Sequence, residues 1–390
     1  VVKKSHITPK VAQLGRNSMT SSNQKYRHIL FFTGTVLMAL ALGACGSTTG
    51  IDLSGAAGAP TETPATSATE EVIVEVPPTE IPPATGYIIF SSNRDGETDL
   101  YMTTPDGLEI IRLTTNALVD EGTTPRLSPD GSKVAFSSTV GDNTDIYVLD
   151  IASKIVTRVT DAQEKDASPS WSPNGQQLAF ESFRDGNLEI YTTNIDGTNQ
   201  TRLTNDPAGD SNPVWSPVSN DILFVSNRFG NSDLFLLGPN GTVATLTTSP
   251  TPDNAAIWSP DGNFIAFQSF SGELSNICLI GRDGLNQSCI TPRAAEYSIP
   301  VWSPDGLWIA VNDQSNILVI HRFSGEVFQL SQTDIQPRGI PAWSPDGLRL
   351  VFQAQSGGDM EIYSALIIRN EFTRLTSIPG YDGEPVWANR

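Results

Sequence analysis

The side chains able to do chemistry in this sequence are few, and they recur at fixed places. An aspartate stands five residues before a tryptophan four times, as Asp166, Asp210, Asp253 and Asp382. Glu121 and Glu296 lie one residue further upstream in two other copies, and Arg338 fills the slot in another. Carboxylates gathered in one place cannot all stay comfortably ionised without a counter-charge. Such an array would hold a hard cation, with Ca2+ the candidate, through oxygen ligands, or it would receive a basic peptide. The competing reading is structural: an Asp before a strand bonds nearby backbone N–H groups, and Arg94, Arg184 and Arg228 stand in loops ready to pair with it. Two of these carboxylates could serve as acid and base in sugar cleavage, but near-equivalent positions single out no pair.

Other chemistries lack their residues. There is no Gly-x-Ser-x-Gly nucleophile elbow, and His321 is the sole histidine after Cys45. A zinc site lacks ligands as well. His321 reads as a surface histidine, and Trp308, which falls outside the tryptophan register, as a partly exposed contact residue. The sequence therefore predicts no enzyme and no cofactor apart from the candidate Ca2+.

Charge is uneven along the chain. The first 45 residues hold six Lys or Arg and no acid, so the remainder carries 18 basic against 43 acidic side chains, a formal charge of about −25. That surface repels nucleic acid and anionic lipid and attracts cations or basic protein segments. Lys25, Arg27 and His28 precede an uncharged stretch, 29–44, with an apolar core, the pattern of a secretory leader. It closes on Leu42-Gly43-Ala44-Cys45, which resembles the bacterial lipobox and implies lipidation of Cys45. A plain signal peptide or an uncleaved anchor are the alternatives, and the leader proper is expected to begin at Met19. Residues 46–86, rich in Thr, Pro, Ala and Glu and free of aromatic residues, read as a disordered stalk.

The elements that must position the acids come from a repeat. From Tyr87 the chain repeats about every 44 residues, with Trp171, Trp215, Trp258, Trp302, Trp343 and Trp387 at one position and Leu127 as a copy without Trp. Each copy holds four strand signals: the Trp strand, a Pro-Asp-Gly turn, a nearly all-apolar strand, a third strand ending in Ile/Leu-Tyr, and a fourth closing on Arg-Leu/Val-Thr. Four-stranded antiparallel units of this length predict a propeller. Residues 87–390 begin with strands two to four of a unit and finish on a lone Trp strand, so the fold is read as all-β: a seven-bladed β-propeller closed by the C-terminal strand completing blade one. The acids would then gather at one mouth of the central channel.

The Trp-Ser-Pro-Asp-Gly, Ile-Ala-Phe-x-Ser, Arg-Asp-Gly, Ile-Tyr and Arg-Leu-Thr blocks resemble the WD40-like PD40 repeats of the TolB family. That resemblance implies a periplasmic or cell-surface propeller used in protein contacts. The family's α/β domain is replaced here by the stalk. Related propellers cap prolyl oligopeptidase-type hydrolases, and some form lyases acting on plant-wall oligosaccharides.

Cys278 falls where other copies have Tyr and Cys289 where they have Arg, 11 residues apart across a two-residue turn. Both positions change together, which favours a disulfide in an oxidising compartment over two buried free thiols. The reading reached is a non-enzymatic, lipid-anchored envelope protein, monomeric, meeting the membrane only through its anchor. Its propeller binds an envelope protein or basic peptide and no nucleic acid. Carbohydrate binding or cleavage on the channel face is the alternative.

Overall fold

The computed structural model describes residues 81–115, 119–120, 122 and 124–389; Cys45 and Glu121 lie outside them. Seven four-stranded antiparallel sheets follow one another as blades of a propeller. Blades two to seven span 126–158, 166–202, 210–245, 253–289, 301–330 and 336–374, each with its strands in sequence order. Among the described residues the one helical element is a 3-10 turn, Ile367–Arg369, and none is long and apolar enough to cross a membrane.

The second strand of every blade is buried on both faces because a blade packs between two others. Phe90, Phe136, Phe180, Phe224, Phe267 and Phe352 occupy equivalent positions there and are fully buried. Each such side chain contributes roughly 1.5–3 kcal/mol. In five blades the third strand sets an aromatic ring opposite, as in Phe180–Tyr191 at 5.7 Å and Phe224–Phe235 at 5.6 Å. Blade five pairs Phe267 with Cys278 instead.

The tryptophans tie blade to blade. Trp171 Nε1 donates to the carbonyl of Arg126 at 2.8 Å, Trp258 to Val214 at 3.1 Å and Trp343 to Val301 at 3.1 Å, each acceptor lying on the preceding blade's innermost strand. A ring wedged at that spot buries its apolar body, and in these three its single donor is satisfied, whereas Trp215 Nε1 is buried without a partner. Trp308 is also core, 8% exposed and edge-on to His321 at 4.7 Å. The expected exposed contact residue is thus corrected: Trp308 begins a second strand, and second strands are enclosed.

The Ser-Pro-Asp-Gly block is a turn in which each residue has a task. Ser128 Oγ donates to Asp130 Oδ1 at 2.6 Å and accepts from the Lys133 amide at 2.9 Å, while Gly131 takes φ +71°. Pro169, Pro213, Pro341 and Pro385, each two residues ahead of a Trp, lie at β-bulges, and Ala256 takes that place in blade five. Register shifts between Ala167 and Ser170 and between Asn254 and Ile257, and Ser168, Asn212, Ala255 and Glu384 adopt positive φ there.

Closure is made by Asp382–Ala388, which pairs with Tyr87–Ser92 in blade one: Tyr87 opposite Ala388, Ile88 opposite Trp387, Ser92 opposite Asp382. Trp387 Nε1 donates to Thr85 O at 2.9 Å. Gly86 lies so close to this strand that a Cβ on it would stand 2.0 Å from the carbonyl oxygen of Ala388. In blade five Cys278 and Cys289 are directly opposed and joined by a disulfide.

Trp387→Ala should cost about 3–5 kcal/mol, and deleting 383–390 should leave blade one open to limited proteolysis within 87–112. A truncated chain with unchanged melting and unchanged cleavage would refute the closure. Peptide mapping should find Cys278 and Cys289 alkylated only after reduction. Replacing both with Ser should cost about 2 kcal/mol.

Candidate functional site

The innermost strands begin at one end of the propeller, called here the upper face. The loops between second and third strands and the connections entering each blade lie at the same end. The first residues of four inner strands are Asp382, Asp166, Asp210 and Asp253, in blades one, three, four and five. All four are 0% exposed, so none presents its carboxylate to solvent.

Three of them are neutralised within their own blade. Arg94 Nη2 donates to Asp382 at 2.7 Å, Arg184 Nη2 to Asp166 at 2.7 Å, and Arg228 Nη2 to both oxygens of Asp210 at 2.9 Å. Each arginine also gives Nε–H to a second-strand serine, Ser92, Ser182 or Ser226. Its guanidinium lies over the aromatic pair below: Arg184 is 5.5 Å from the Phe180 ring and 4.6 Å from Tyr191, and Arg228 is 5.6 Å from Phe224 and 4.5 Å from Phe235. Burial pushes the Asp210 carboxyl above the ordinary range, against the pull of Ser226 and Arg228. Removing one partner of such a desolvated pair costs about 3–5 kcal/mol.

A second set of acids lies at or near the start of the third strands. Asp145 pairs with Arg158 at 2.6 Å and Glu189 with Arg202 at 2.7 Å; Asp99 pairs with Arg112 and Glu361 with Arg374. The Thr of each Arg-Leu/Val-Thr block completes the arrangement. Thr204 Oγ1 donates to Glu189 at 2.7 Å and accepts from the Ile190 amide at 2.9 Å.

An open acidic mouth is therefore not what the structure has, and the remaining positions scatter. Glu296 is exposed on the connection before blade six, where Tyr297 takes the buried slot. Arg338 is displaced by register. In blade seven three residues separate the paired Arg338 and Ala342, against two between Ala167 and Ser170. Pro337 consequently takes the place of Asp166, and Arg338 bonds the carbonyl of Gln314 at 2.7 Å and Gln336 Oε1 at 3.0 Å.

Arg338 helps line a cleft of about 620 Å³ between blades six and seven, together with Gln314, Asn316, Gln332, Thr333 and Gln336. Amides and hydroxyls dominate it. Sequence reasoning missed this cleft, although the 41-residue interval from Trp302 to Trp343, the shortest in the series, marks it. Nearer the axis, Arg126 and Glu384 lie within electrostatic reach of one another, and Thr124 donates to Glu384 at 3.1 Å. Burial raises the Glu384 pKa. His321 closes a turn on the opposite face: Nδ1 accepts from the Ser324 amide at 3.2 Å and lies 2.9 Å from its hydroxyl.

Asp253 differs from its three equivalents. Ser271 stands at the arginine slot, and neither carboxylate oxygen has a hydrogen-bond partner of sound geometry, although the Ser269 and Thr247 hydroxyls lie close enough to pull its pKa down. Burial, reinforced by Asp233, wins and raises that pKa. A raised carboxyl pKa means that ionisation opposes folding, so the penalty is complete above the folded-state pKa and is relieved as pH falls through it. In metal-free buffer Asp253→Asn should therefore melt above wild type at pH 7. The difference should shrink as pH falls through the folded-state pKa; thermal melts across that range check the sign.

Residues 120–309 match the family described as the TolB β-propeller domain, PD40. No curated protein sequence matches the chain. Among solved structures, TolB from Acinetobacter baumannii is 21% identical over 78% of this chain and 67% of that one, with TM-score 0.51. An oligogalacturonate lyase in complex with manganese is 14% identical over 72% and 86%, TM-score 0.60. A puromycin-hydrolyzing peptidase of Mycobacterium tuberculosis is 14% identical over 73% of this chain but spans 51% of the peptidase, TM-score 0.59. At these identities the likeness is one of fold. Residues 120–309 thus match the TolB β-propeller (PD40) family, and the described residues form a seven-bladed propeller of the kind these structures share.

Proposed function

We propose that this chain is a non-catalytic, exported lipoprotein, anchored through Cys45, whose propeller binds a protein or peptide on its upper face. The observation that carries this reading is the cleft between blades six and seven. It offers amide donors and acceptors from Gln314, Asn316, Gln332 and Gln336, with the Arg338 guanidinium beside them. Such a surface matches the backbone and polar side chains of a peptide segment. Phe183 and Phe229, exposed in second-to-third-strand loops at the same end, supply apolar contact area. The match of residues 120–309 to the TolB β-propeller family supports protein contact, while the buried and paired carboxylates offer no acid–base couple to a substrate. The cleft's amides and hydroxyls also suit a sugar, which keeps carbohydrate binding as the second reading.

A photo-crosslinking side chain at Gln332 should trap a single protein species of defined mass in intact cells, and one at Leu108 on the opposite face should not. Equal labelling from both faces would overturn the assignment. Melting shifts on a glycan panel, with no trapped protein, would favour carbohydrate.

A further inference from the structure

Three blade junctions bring two acids together, one from a third strand and one from the next inner strand: Asp145 with Asp166, Glu189 with Asp210, and Glu361 with Asp382. Each carries two arginines as well: Arg158 and Arg184, Arg202 and Arg228, Arg374 and Arg94. Each of the two buried acids thus has its own guanidinium; at the junction of blades three and four the part-buried Asp185 and Asp206 also reach Arg202 and Arg228, at 3.2 and 3.7 Å.

The junction of blades four and five keeps both acids, Asp233 and Asp253, and neither arginine. The fourth-strand slot opposite Phe235 is Thr245, and the loop slot is Ser271. The two acids are neighbours: the Asp253 amide donates to Ser232 O at 2.8 Å, and Asp233 acts on the Asp253 carboxyl. Both side chains are essentially fully buried. Asp233 Oδ1 accepts from the Ser249 amide at 3.1 Å and from Thr247 Oγ1 at 3.4 Å, whereas both Asp253 oxygens lack partners. Ser269 occupies the place of Ser92, Ser182 and Ser226, the serines that elsewhere accept from arginine. The whole receptor for a cation is retained without the side chain that fills it in the other blades.

We propose that the blade four–five junction binds one divalent hard cation, Ca2+, between Asp233 and Asp253. A divalent ion supplies the two positive charges that two guanidinium groups bring to the equivalent buried acids. The donors are carboxylate and hydroxyl oxygens with no nitrogen or sulfur among them, an irregular set that suits Ca2+ better than the strict octahedron of Mg2+. A partner's lysine or arginine would have to reach a carboxylate that has no exposed atom; a bare ion needs only a transient opening.

The test is calcium titration of the chelator-treated full chain by calorimetry and thermal melting. One Ca2+ should bind per chain, and the melting temperature should rise by about 5 °C at a hundredfold excess over the dissociation constant. Asp253→Asn, which is isosteric, should fold and lose the shift. Thr245→Arg, on an exposed strand position, should raise stability in chelator and weaken Ca2+ binding at least tenfold. Identical wild-type melts in Ca2+ and in chelator would overturn the proposal, as would an undiminished shift in Asp253→Asn.

Discussion

A blade of this chain has two apolar faces and cannot bury either alone. The fully buried phenylalanines of the second strands require a neighbour on each side, so every sheet depends on the next, and the last depends on the first. Closure by Asp382–Ala388 against Tyr87–Ser92 supplies the one contact that sequence order does not. The tryptophan wedges act at the same junctions, the Nε1–H groups of Trp171, Trp258 and Trp343 each reaching back to the preceding blade.

The buried charge follows from the same constraint. Acids at the upper end of inner and third strands fall between blades, where solvent is excluded, and the chain compensates them with arginines from two sources: long second-to-third-strand loops and fourth strands. The loop arginines are held by aromatic faces as well as by carboxylates. The polarity on this face is therefore largely structural, and the open polar surface lies where blades six and seven abandon the pattern. There Asn316 and Pro337 stand in the acid positions and Gln329 in that of arginine, donating to Asn316 Oδ1 at 3.0 Å.

Much of the architecture was legible because repetition amplifies weak signals. A Trp at one position means little, but six at near-constant spacing fix the unit, and a unit beginning with its second strand implies how the ring closes. The register that sets Tyr opposite Arg also sets Cys278 opposite Cys289. Depth was not legible: spacing shows that Asp166 starts a strand, yet it cannot distinguish a rim from a sealed junction, although the loop arginines hinted at the latter. Arg338 was misplaced because counting back from Trp343 assumes a bulge of constant length, and blade seven has one residue more. Trp308 was misread because the start of a second strand was taken to be partly open, whereas packing between blades encloses it.

The segment entering blade one touches two blades at once. Arg349 of blade seven donates to Pro82 O at 2.9 Å, and Trp387 of blade one to Thr85 O at 2.9 Å. Mechanical tension arriving through residue 81 would thus be divided between neighbouring sheets before it reached Tyr87. Along that strand it would then act in shear on its ladder with Asp382–Ala388, loading several hydrogen bonds in parallel instead of peeling them one by one.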